Sequence, residues 1–331
     1  MAPGRTWAIV AGGGTAGHVL PAVAVARALV ERGHAADTVH FVGSRRGVEA
    51  RLVPEAGFSI TLLPGRGIAR SLTLDNVGAV LGLLVAVVRG VILVARRKPA
   101  VVLAMGGYAA VPCAVAAVLL RVPLVLHDQN AVPGLANRLA GRFARAAAVS
   151  FPGTALPRAE VTGNPVRPEV AAVQRTPAAR AAARQQLGLP EDRVVVAAFG
   201  GSLGARTINR AVAGLAAAWS MRDDVVLYHV VGRRDWDDPQ LRATTTVSYR
   251  PVEYEERMPL LLAAADVAVC RAGGTTVAEL AVVELPAVLV PLPGAPGDHQ
   301  TANAGALVQA GGAVLVPDGE LTTERLAAEL A

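Results

Sequence analysis

The chain has 331 residues, 53% hydrophobic, 18% charged and 4% aromatic, with a formal net charge of +6 at pH 7. Such apolar content excludes a disordered chain, the length suits two domains whose cores need neither metal nor disulfide, and so few aromatic rings make poor platforms for stacking nucleic-acid bases. The charge is uneven: residues 1–166 hold 17 Lys/Arg against 7 Asp/Glu, and residues 167–331 hold 15 against 19, so the first half is expected to meet something anionic, whether lipid, nucleic acid or a phosphorylated substrate.

Trp7-Ala8-Ile9-Val10-Ala11 reads as a buried strand running into Gly12-Gly13-Gly14-Thr15-Ala16-Gly17-His18. Val19 to Val30 follows as a helix with Pro21 in its first turn, where a missing N–H does no harm. Val39 to Val42 is a second strand ending at Gly43. Val77 to Ala95 is apolar, broken by Arg89 and closed by Arg96-Arg97-Lys98. It reads either as a core helix or as a helix lying on an anionic membrane surface, with Arg66 and Arg70 adding to the pull. Pro99 to Leu120 carries no charge, but Gly106-Gly107 and Pro112 interrupt it. A strand at Val101 to Ala104 and a following helix explain it better than a membrane span. Val122 to Leu126 is a further strand, ending at His127-Asp128-Gln129-Asn130.

Gly163-Asn164-Pro165-Val166-Arg167-Pro168 cannot continue regular structure and is taken as the joint between domains 1–163 and 164–331. The plan then restarts. Val194 to Phe199 is a strand, Gly200-Gly201-Ser202-Leu203-Gly204-Ala205 its loop, and Arg206 to Trp219 a helix. Val225 to Val231, Val267 to Cys270 and Ala287 to Val290 are strands, with glycine-rich loops after the last two. Short β-branched runs alternating with helical stretches predict an α/β protein, a doubly wound parallel sheet built twice, with functional loops at the carboxyl ends of strands. Cys113 and Cys270 lie in apolar runs and read as small buried hydrophobes, and the six histidines are too dispersed to hold a metal. The N-terminus shows no signal peptide, which points to the cytoplasm.

Glycine lets the backbone approach a ligand closely, and the N–H groups of a helix start favour anions. Loops of this kind in both halves imply a cleft that grips a phosphorylated ligand. The run Gly12 to Gly17 fits the Gly-x-Gly-x-x-Gly spacing of a dinucleotide site, yet the second strand ends at Val42-Gly43-Ser44-Arg45 with no carboxylate for a ribose. That weighs against a nicotinamide-dependent oxidoreductase. No Gly-Lys-Ser/Thr phosphate loop is present either.

Six segments in order carry a resemblance: Gly13-Gly14-Thr15-Ala16-Gly17-His18, His127-Asp128-Gln129-Asn130, Gly163-Asn164-Pro165-Val166-Arg167, Gly200-Gly201-Ser202-Leu203-Gly204-Ala205-Arg206, Arg271-Ala272-Gly273-Gly274-Thr275-Thr276-Val277-Ala278-Glu279 and Asp298-His299-Gln300-Thr301-Ala302-Asn303-Ala304. Together they are similar to the MurG family of bacterial glycosyltransferases, over almost the whole chain. The resemblance implies a GT-B fold, two Rossmann-like domains facing across a cleft. It implies a membrane-held acceptor on the N-terminal domain and UDP-N-acetylglucosamine on the C-terminal one. The reaction implied is transfer of N-acetylglucosamine to the 4-hydroxyl of the muramyl sugar of undecaprenyl-pyrophosphoryl-MurNAc-pentapeptide, lipid I to lipid II of peptidoglycan synthesis, with inversion. Neither cofactor, catalytic metal nor nucleic-acid partner is implied, and the place of work is the cytoplasmic face of the cell membrane.

The same resemblance assigns the residues. His18 is the candidate base, with loop ordering or acceptor-phosphate binding as its alternative, and Asn130 faces the sugar. Thr15, Ala16 and Gly17 form the loop facing both substrates, with Ala16 where the family has glycine. Arg167 adds charge at the donor nucleotide and Ser202 meets the diphosphate. Gly274, Thr275, Thr276, Val277 and Ala278 lead to Glu279, whose carboxylate suits two ribose hydroxyls. His299 and Gln300 contact the N-acetylglucosamine. Two departures stand out. Glu255, in Tyr254-Glu255-Glu256-Arg257-Met258, replaces a hydrophobic uracil-side residue, so only a backbone contact would survive there. The chain also stops at Ala331, where the family usually continues into a helix returning to the N-terminal domain, so weaker coupling of the domains is expected. Another GT-B glycosyltransferase, a UDP-sugar epimerase or a membrane-surface scaffold are the alternative readings.

Overall fold

The computed structural model describes residues 6–45, 47–64, 75–201, 203–242 and 249–331. It divides into two compact units, Met1–Arg167 and Pro168–Ala331. The first runs β1 (Ala8–Ala11), α1 (Ala16–Glu31), β2 (Val39–Ser44), α2 (Glu49–Glu55), β3 (Ser59–Leu63), α3 (Asp75–Arg97), β4 (Val101–Ala104), α4 (Ala110–Leu119), β5 (Leu124–Asp128), α5 (Leu135–Ala140), β6 (Ala146–Val149) and β7 (Ala159–Val161). Among the described residues these strands form one parallel sheet in the order β3-β2-β1-β4-β5-β6-β7.

The second unit begins with α6 (Pro168–Ala171) and α7 (Pro177–Leu187). It continues β8 (Val194–Phe199), α8 (Arg206–Ala218), β9 (Val225–Val230), α9 (Pro239–Arg242), β10 (Tyr249–Val252), α10 (Met258–Ala264), β11 (Val267–Cys270), α11 (Gly274–Val282), β12 (Ala287–Leu289), α12 (His299–Gln309), β13 (Ala313–Leu315) and α13 (Thr323–Glu329). Its parallel sheet runs β10-β9-β8-β11-β12-β13, so each unit winds outward in both directions from its own first strand.

The central strands are apolar throughout because helices cover both faces of a parallel sheet. Side chains alternate along β1: Ile9 and Ala11 join the core beneath α3 and α4, while Val10 packs with Val19, Val23, Phe41 and Met105 on the α1 side. Register then fixes where the loops emerge. Ala11 pairs with both Val42 and Ala104, and Phe199 with both Val230 and Cys270, so neighbouring strands end side by side at one edge. A break in strand order at that edge is where α/β sheets bind ligands.

Several predicted bounds change. The first helix starts at Ala16, not Val19, because Thr15 stays extended (φ −130°, ψ 158°) as its N-cap. Pro21 therefore lies inside α1 and withdraws one helical hydrogen bond, which the longer helix and its buried face tolerate. Strand β5 extends through Asp128, so His127 and Asp128 are strand residues. The stretch Pro99 to Leu120 is β4 followed by α4, and among the described residues no helix is long and apolar enough to cross a membrane. Cys113 and Cys270 are buried and unbridged, and burial pushes the Cys113 thiol up to about 12.

Three histidines are buried in these sheets. His40 meets Ser59 Oγ and Thr61 Oγ1, each at 2.8 Å, and burial, aided by the nearby Arg97 charge, lowers it to about 4. His229 lies 3.0 Å from Asn209 Oδ1 through Nε2 and 2.9 Å from the Tyr249 hydroxyl through Nδ1. Nε2–H donates to Asn209, whose amide oxygen only accepts, the Tyr249 hydroxyl gives its own proton to the Leu241 carbonyl at 2.8 Å, and burial lowers this histidine to about 3. His127 is lowered to about 4, by burial first and His18 second, against the Gly163 backbone.

In each case the folded value is below that of the unfolded chain, so the unfolded state takes up the proton first as pH falls. The stability is whole well above pH 6.5 and is lost progressively as pH falls from there to about 4 for His40 and His127 and to about 3 for His229. Each ring should cost about 1–2 kcal/mol at pH 5. Urea unfolding from pH 7 to pH 5 should show this loss, with a shallower pH slope in His229→Gln. A stability flat across that range would refute neutral buried rings.

Candidate functional site

In the first unit the loop after β1 and the loop after β4 touch backbone to backbone. Gly107 has φ +77°, and a Cβ there would overlap the Gly13 carbonyl oxygen. A Cβ on Gly106 would come within 2.8 Å of the His18 ring, so the imidazole lies against bare backbone. Thr15 Oγ1 and His18 Nδ1 are 3.0 Å apart, and the Thr15 carbonyl accepts from the N–H groups of His18 and Val19. When Nδ1–H donates to Thr15, Nε2 carries the lone pair. Ala16, Gly17 and His18 thus form the first turn of α1, on a loop anchored at Thr15.

Asn130 follows β5 on the same edge. Its loop is organised by Asp128, whose Oδ1 accepts from the Asn130 N–H at 3.1 Å and whose Oδ2 accepts from the Gly134 N–H at 3.1 Å and Asn137 Nδ2 at 2.9 Å. Asn137 Nδ2 also reaches the His127 carbonyl at 3.0 Å. Both acidic oxygens are thereby committed to holding the loop. Tyr108, in the loop after β4, donates to the Pro64 carbonyl at 3.0 Å, and burial raises its phenol.

In the second unit Ser202 lies outside the described residues, but its loop is framed on both sides. Gly204, at φ +81°, leaves space that a Cβ would take from the Val231 carbonyl. Beside it Asp235 is gripped by Arg234 through Nε (3.0 Å) and Nη2 (3.0 Å), by Arg206 Nε (3.2 Å) and by Asn209 Nδ2 (3.1 Å). The Arg234 hydrogen bond, helped by Arg206, holds the Asp235 carboxyl below the usual carboxylate range despite burial. Two exposed guanidinium groups sharing one carboxylate leave positive charge beside the loop.

Gly274 to Ala278 open α11 directly after β11, with Gly273 as N-cap and Val277 N–H the first to bond back, to the Gly273 carbonyl. Glu279 lies on that helix, close enough to Cys270 at the strand end to raise its thiol further. His299 and Gln300 start α12. His299 Nδ1 sits 2.9 Å from the Pro296 carbonyl, and Gln300 Oε1 accepts from the Leu292 N–H at 2.9 Å, which leaves the Gln300 amide NH2 as its donor end. Arg167 is the last residue of the first unit. Glu255 turns inward. Its carboxylate accepts from the Tyr228 hydroxyl and from Arg257 N (2.8 Å) and Nε (3.2 Å). Burial pulls that carboxyl up, and the hydrogen bonds outweigh it and leave it low.

Residues 8–149 match the glycosyltransferase family 28 N-terminal domain and residues 195–331 the glycosyltransferase family 28 C-terminal domain. The chain belongs to glycosyltransferase family 28. It is 44% identical over 317 residues to a Nocardioides sp. protein named UDP-N-acetylglucosamine--N-acetylmuramyl-(pentapeptide) pyrophosphoryl-undecaprenol N-acetylglucosamine transferase, covering 96% of this chain and 86% of that one. A Nocardia farcinica protein of the same name is 43% identical, over 95% of this chain and 83% of its own. The crystal structure of Acinetobacter baumannii MurG aligns with a TM-score of 0.73 at 28% identity, over 98% of this chain and 90% of that one. The family 28 enzyme accordingly has the two Rossmann-like parallel-sheet units of a GT-B glycosyltransferase.

Supporting residues to which the sequence reading assigns no role are Asp128, Asn137, Arg234 and Asp235. Asp128 gives a direct test. Asp128→Ala strands three donors and should destabilise the enzyme by about 2–4 kcal/mol, with Asp128→Asn losing less. A loss below about 1 kcal/mol in urea unfolding would mean the loop is held by something else.

Proposed function

We propose that this family 28 enzyme transfers N-acetylglucosamine from UDP-N-acetylglucosamine to the 4-hydroxyl of MurNAc in undecaprenyl-pyrophosphoryl-MurNAc-pentapeptide, with inversion. The supporting observation is the 44% identity across 96% of the chain to a relative whose name states that donor and that acceptor. The acceptor belongs to the first domain, residues 1–163, and the donor to the second, residues 164–331.

The 4-hydroxyl attacks the anomeric carbon, the bond from that carbon to the diphosphate oxygen breaks, and UDP departs with the electron pair. His18 takes the hydroxyl proton at Nε2, its ring aligned by Thr15 through Nδ1. Asn130 faces the transferred sugar. Glu279 accepts from both ribose hydroxyls, while Gln300 and His299 meet the sugar's hydroxyl groups. Ser202, Arg167 and the N–H groups that open α11 bear on the diphosphate, whose growing charge they offset.

The enzyme also works at an anionic membrane surface, from the cytoplasmic side, and α3 is the contact. Leu81, Leu84, Val85, Val88 and Ile92 are exposed at helical spacing along one face, with Arg89, Arg96 and Lys98 exposed near them. Arg97 is not part of that contact, since Nη1 donates to Thr6 Oγ1 at 3.2 Å and the side chain is half-buried. Arg66, Arg70 and the side chain of Val77 fall outside the described residues. Beyond α4, which lies beside both α3 and α5, Leu135, Leu139 and Phe143 add a second exposed apolar row with Arg138, Arg142 and Arg145.

Radiolabelled UDP-N-acetylglucosamine with the undecaprenyl-linked acceptor tests the reaction. His18→Ala should lower kcat by roughly 10²–10⁴, and Glu279→Ala should raise the donor KM about 10–30-fold through two lost hydrogen bonds. Transfer to other sugars but not to this acceptor would overturn the assignment. Binding to phosphatidylglycerol-rich vesicles should weaken with salt and with Arg89→Ala, Arg96→Ala and Lys98→Ala combined, by about 1 kcal/mol per charge. Salt-independent binding would point to apolar insertion alone.

A further inference from the structure

We infer that Glu49 is a positioning residue for the His18 loop, an inference that rests on the proposed role of His18. Glu49 opens α2, 35 residues beyond the loop it serves, and is only 1% exposed. Its Oε1 accepts the Ser44 N–H at 2.7 Å, at the end of β2, and its Oε2 accepts the Gly14 N–H at 2.9 Å, in the loop after β1. A buried carboxylate is tolerated only where hydrogen bonds replace its water, and here main-chain donors from two separate segments do so.

The slot is shaped for this group. Gly13, Gly43 and Gly47 surround it from three segments, and a Cβ on any of them would collide with the Glu49 side chain. The bond at Gly14 has a direct consequence one residue on. Gly14 stands at φ +94°, a conformation that turns the chain into the extended Thr15, and Thr15 is the hydrogen-bond partner of His18 Nδ1. His18 is in turn backed by Gly106. The carboxylate fixes Gly14, Gly14 aims Thr15, and Thr15 orients the ring. Among the described residues Glu49 bonds only to backbone, so its effect on turnover passes through His18.

Glu49→Gln keeps the size and shape of the side chain but turns an NH2 toward one of the two N–H groups. It should lower kcat at least tenfold while the Kd for UDP-N-acetylglucosamine, by calorimetry, stays within twofold. In the His18→Ala background the same substitution should change kcat less than twofold, because both act through one ring. Equal fold losses in the two backgrounds, or full activity in Glu49→Gln, would overturn the inference. Gly43→Ala, which drives a methyl group against Glu49 Cγ, is a second variant and should show the same pattern should the glutamine variant fold poorly. Two readouts do not need turnover. The Gly14 and Ser44 amides should exchange faster in Glu49→Gln, and the His18 imidazole resonances should shift. A wild-type chain without transfer would count against the functional reading alone, whereas unmoved amides and resonances would count against the role of Glu49.

Discussion

Main chain meets main chain at the carboxyl edge of each sheet, and one added Cβ would end it. At Gly107 that atom would occupy the Gly13 carbonyl, and at Gly204 the Val231 carbonyl. Both residues also hold φ near +80°, which side chains rarely adopt. The consequence is chemical as well as steric. Loops packed this closely present peptide N–H groups and short side chains at the strand ends, which suits a ligand whose main feature is negative charge. It also explains how the Cδ2–Nε2 edge of the His18 ring can approach the loop so closely, since at Gly106 no side chain projects there.

Loops free of side chains need bracing, and the braces are acidic. Glu49 joins the ends of β1 and β2, Asp128 gathers the turn after β5, and Asp235 ties α8 to the segment after β9. Asp266 does the same at the start of β11, accepting from the Val195 N–H at 2.7 Å and from Arg184 at 2.6 Å. Each carboxylate is shielded and matched to donors, the condition under which a buried charge holds structure together. Removing one partner would leave an uncompensated charge, so these contacts are costly to break singly. The reacting groups proposed at the same edge, His18, Asn130, Glu279 and Gln300, are instead half-buried.

The central architecture is legible in the sequence because it is buried on both faces. The strands at Val101–Ala104, Val194–Phe199 and Val267–Cys270 match the apolar runs residue for residue. The edges are not legible. Strand β7 is three exposed residues, β10 contains Pro251 at an edge that needs no full ladder, and β6, one strand in from β7, is Ala146-Ala147-Ala148-Val149, whose composition favours a helix. The start of α1 was obscured by Pro21, which imitates a first-turn proline although three turns of helix follow it and more than one precedes it. Glycine loops announce themselves by composition. Glu49 does not, because Gly47-Val48-Glu49-Ala50 carries no spacing that reveals a partner 35 residues away.

Charge asymmetry between the halves takes on more meaning once the arginines are located. In the second unit several are internal ties to carbonyl groups. Arg175 donates to the Glu284 and Ala265 carbonyls, Arg184 to those of Ala264 and Glu191, and Arg271 to those of Val290 and Pro291. Five donors in a flat fork can serve two carbonyls and a carboxylate at once, as Arg184 does with Asp266 as its third partner, and an ammonium group on a flexible stem holds such a geometry poorly. Arg158 plays this part in the first unit, where Arg89, Arg96, Arg138, Arg142 and Arg145 instead point outward. The chain's single lysine, Lys98, is also exposed there. An arginine-rich composition therefore serves two ends: in one unit it fastens strand ends, and in the other it leaves cationic side chains beside exposed apolar helix faces, where net charge alone would understate the contrast.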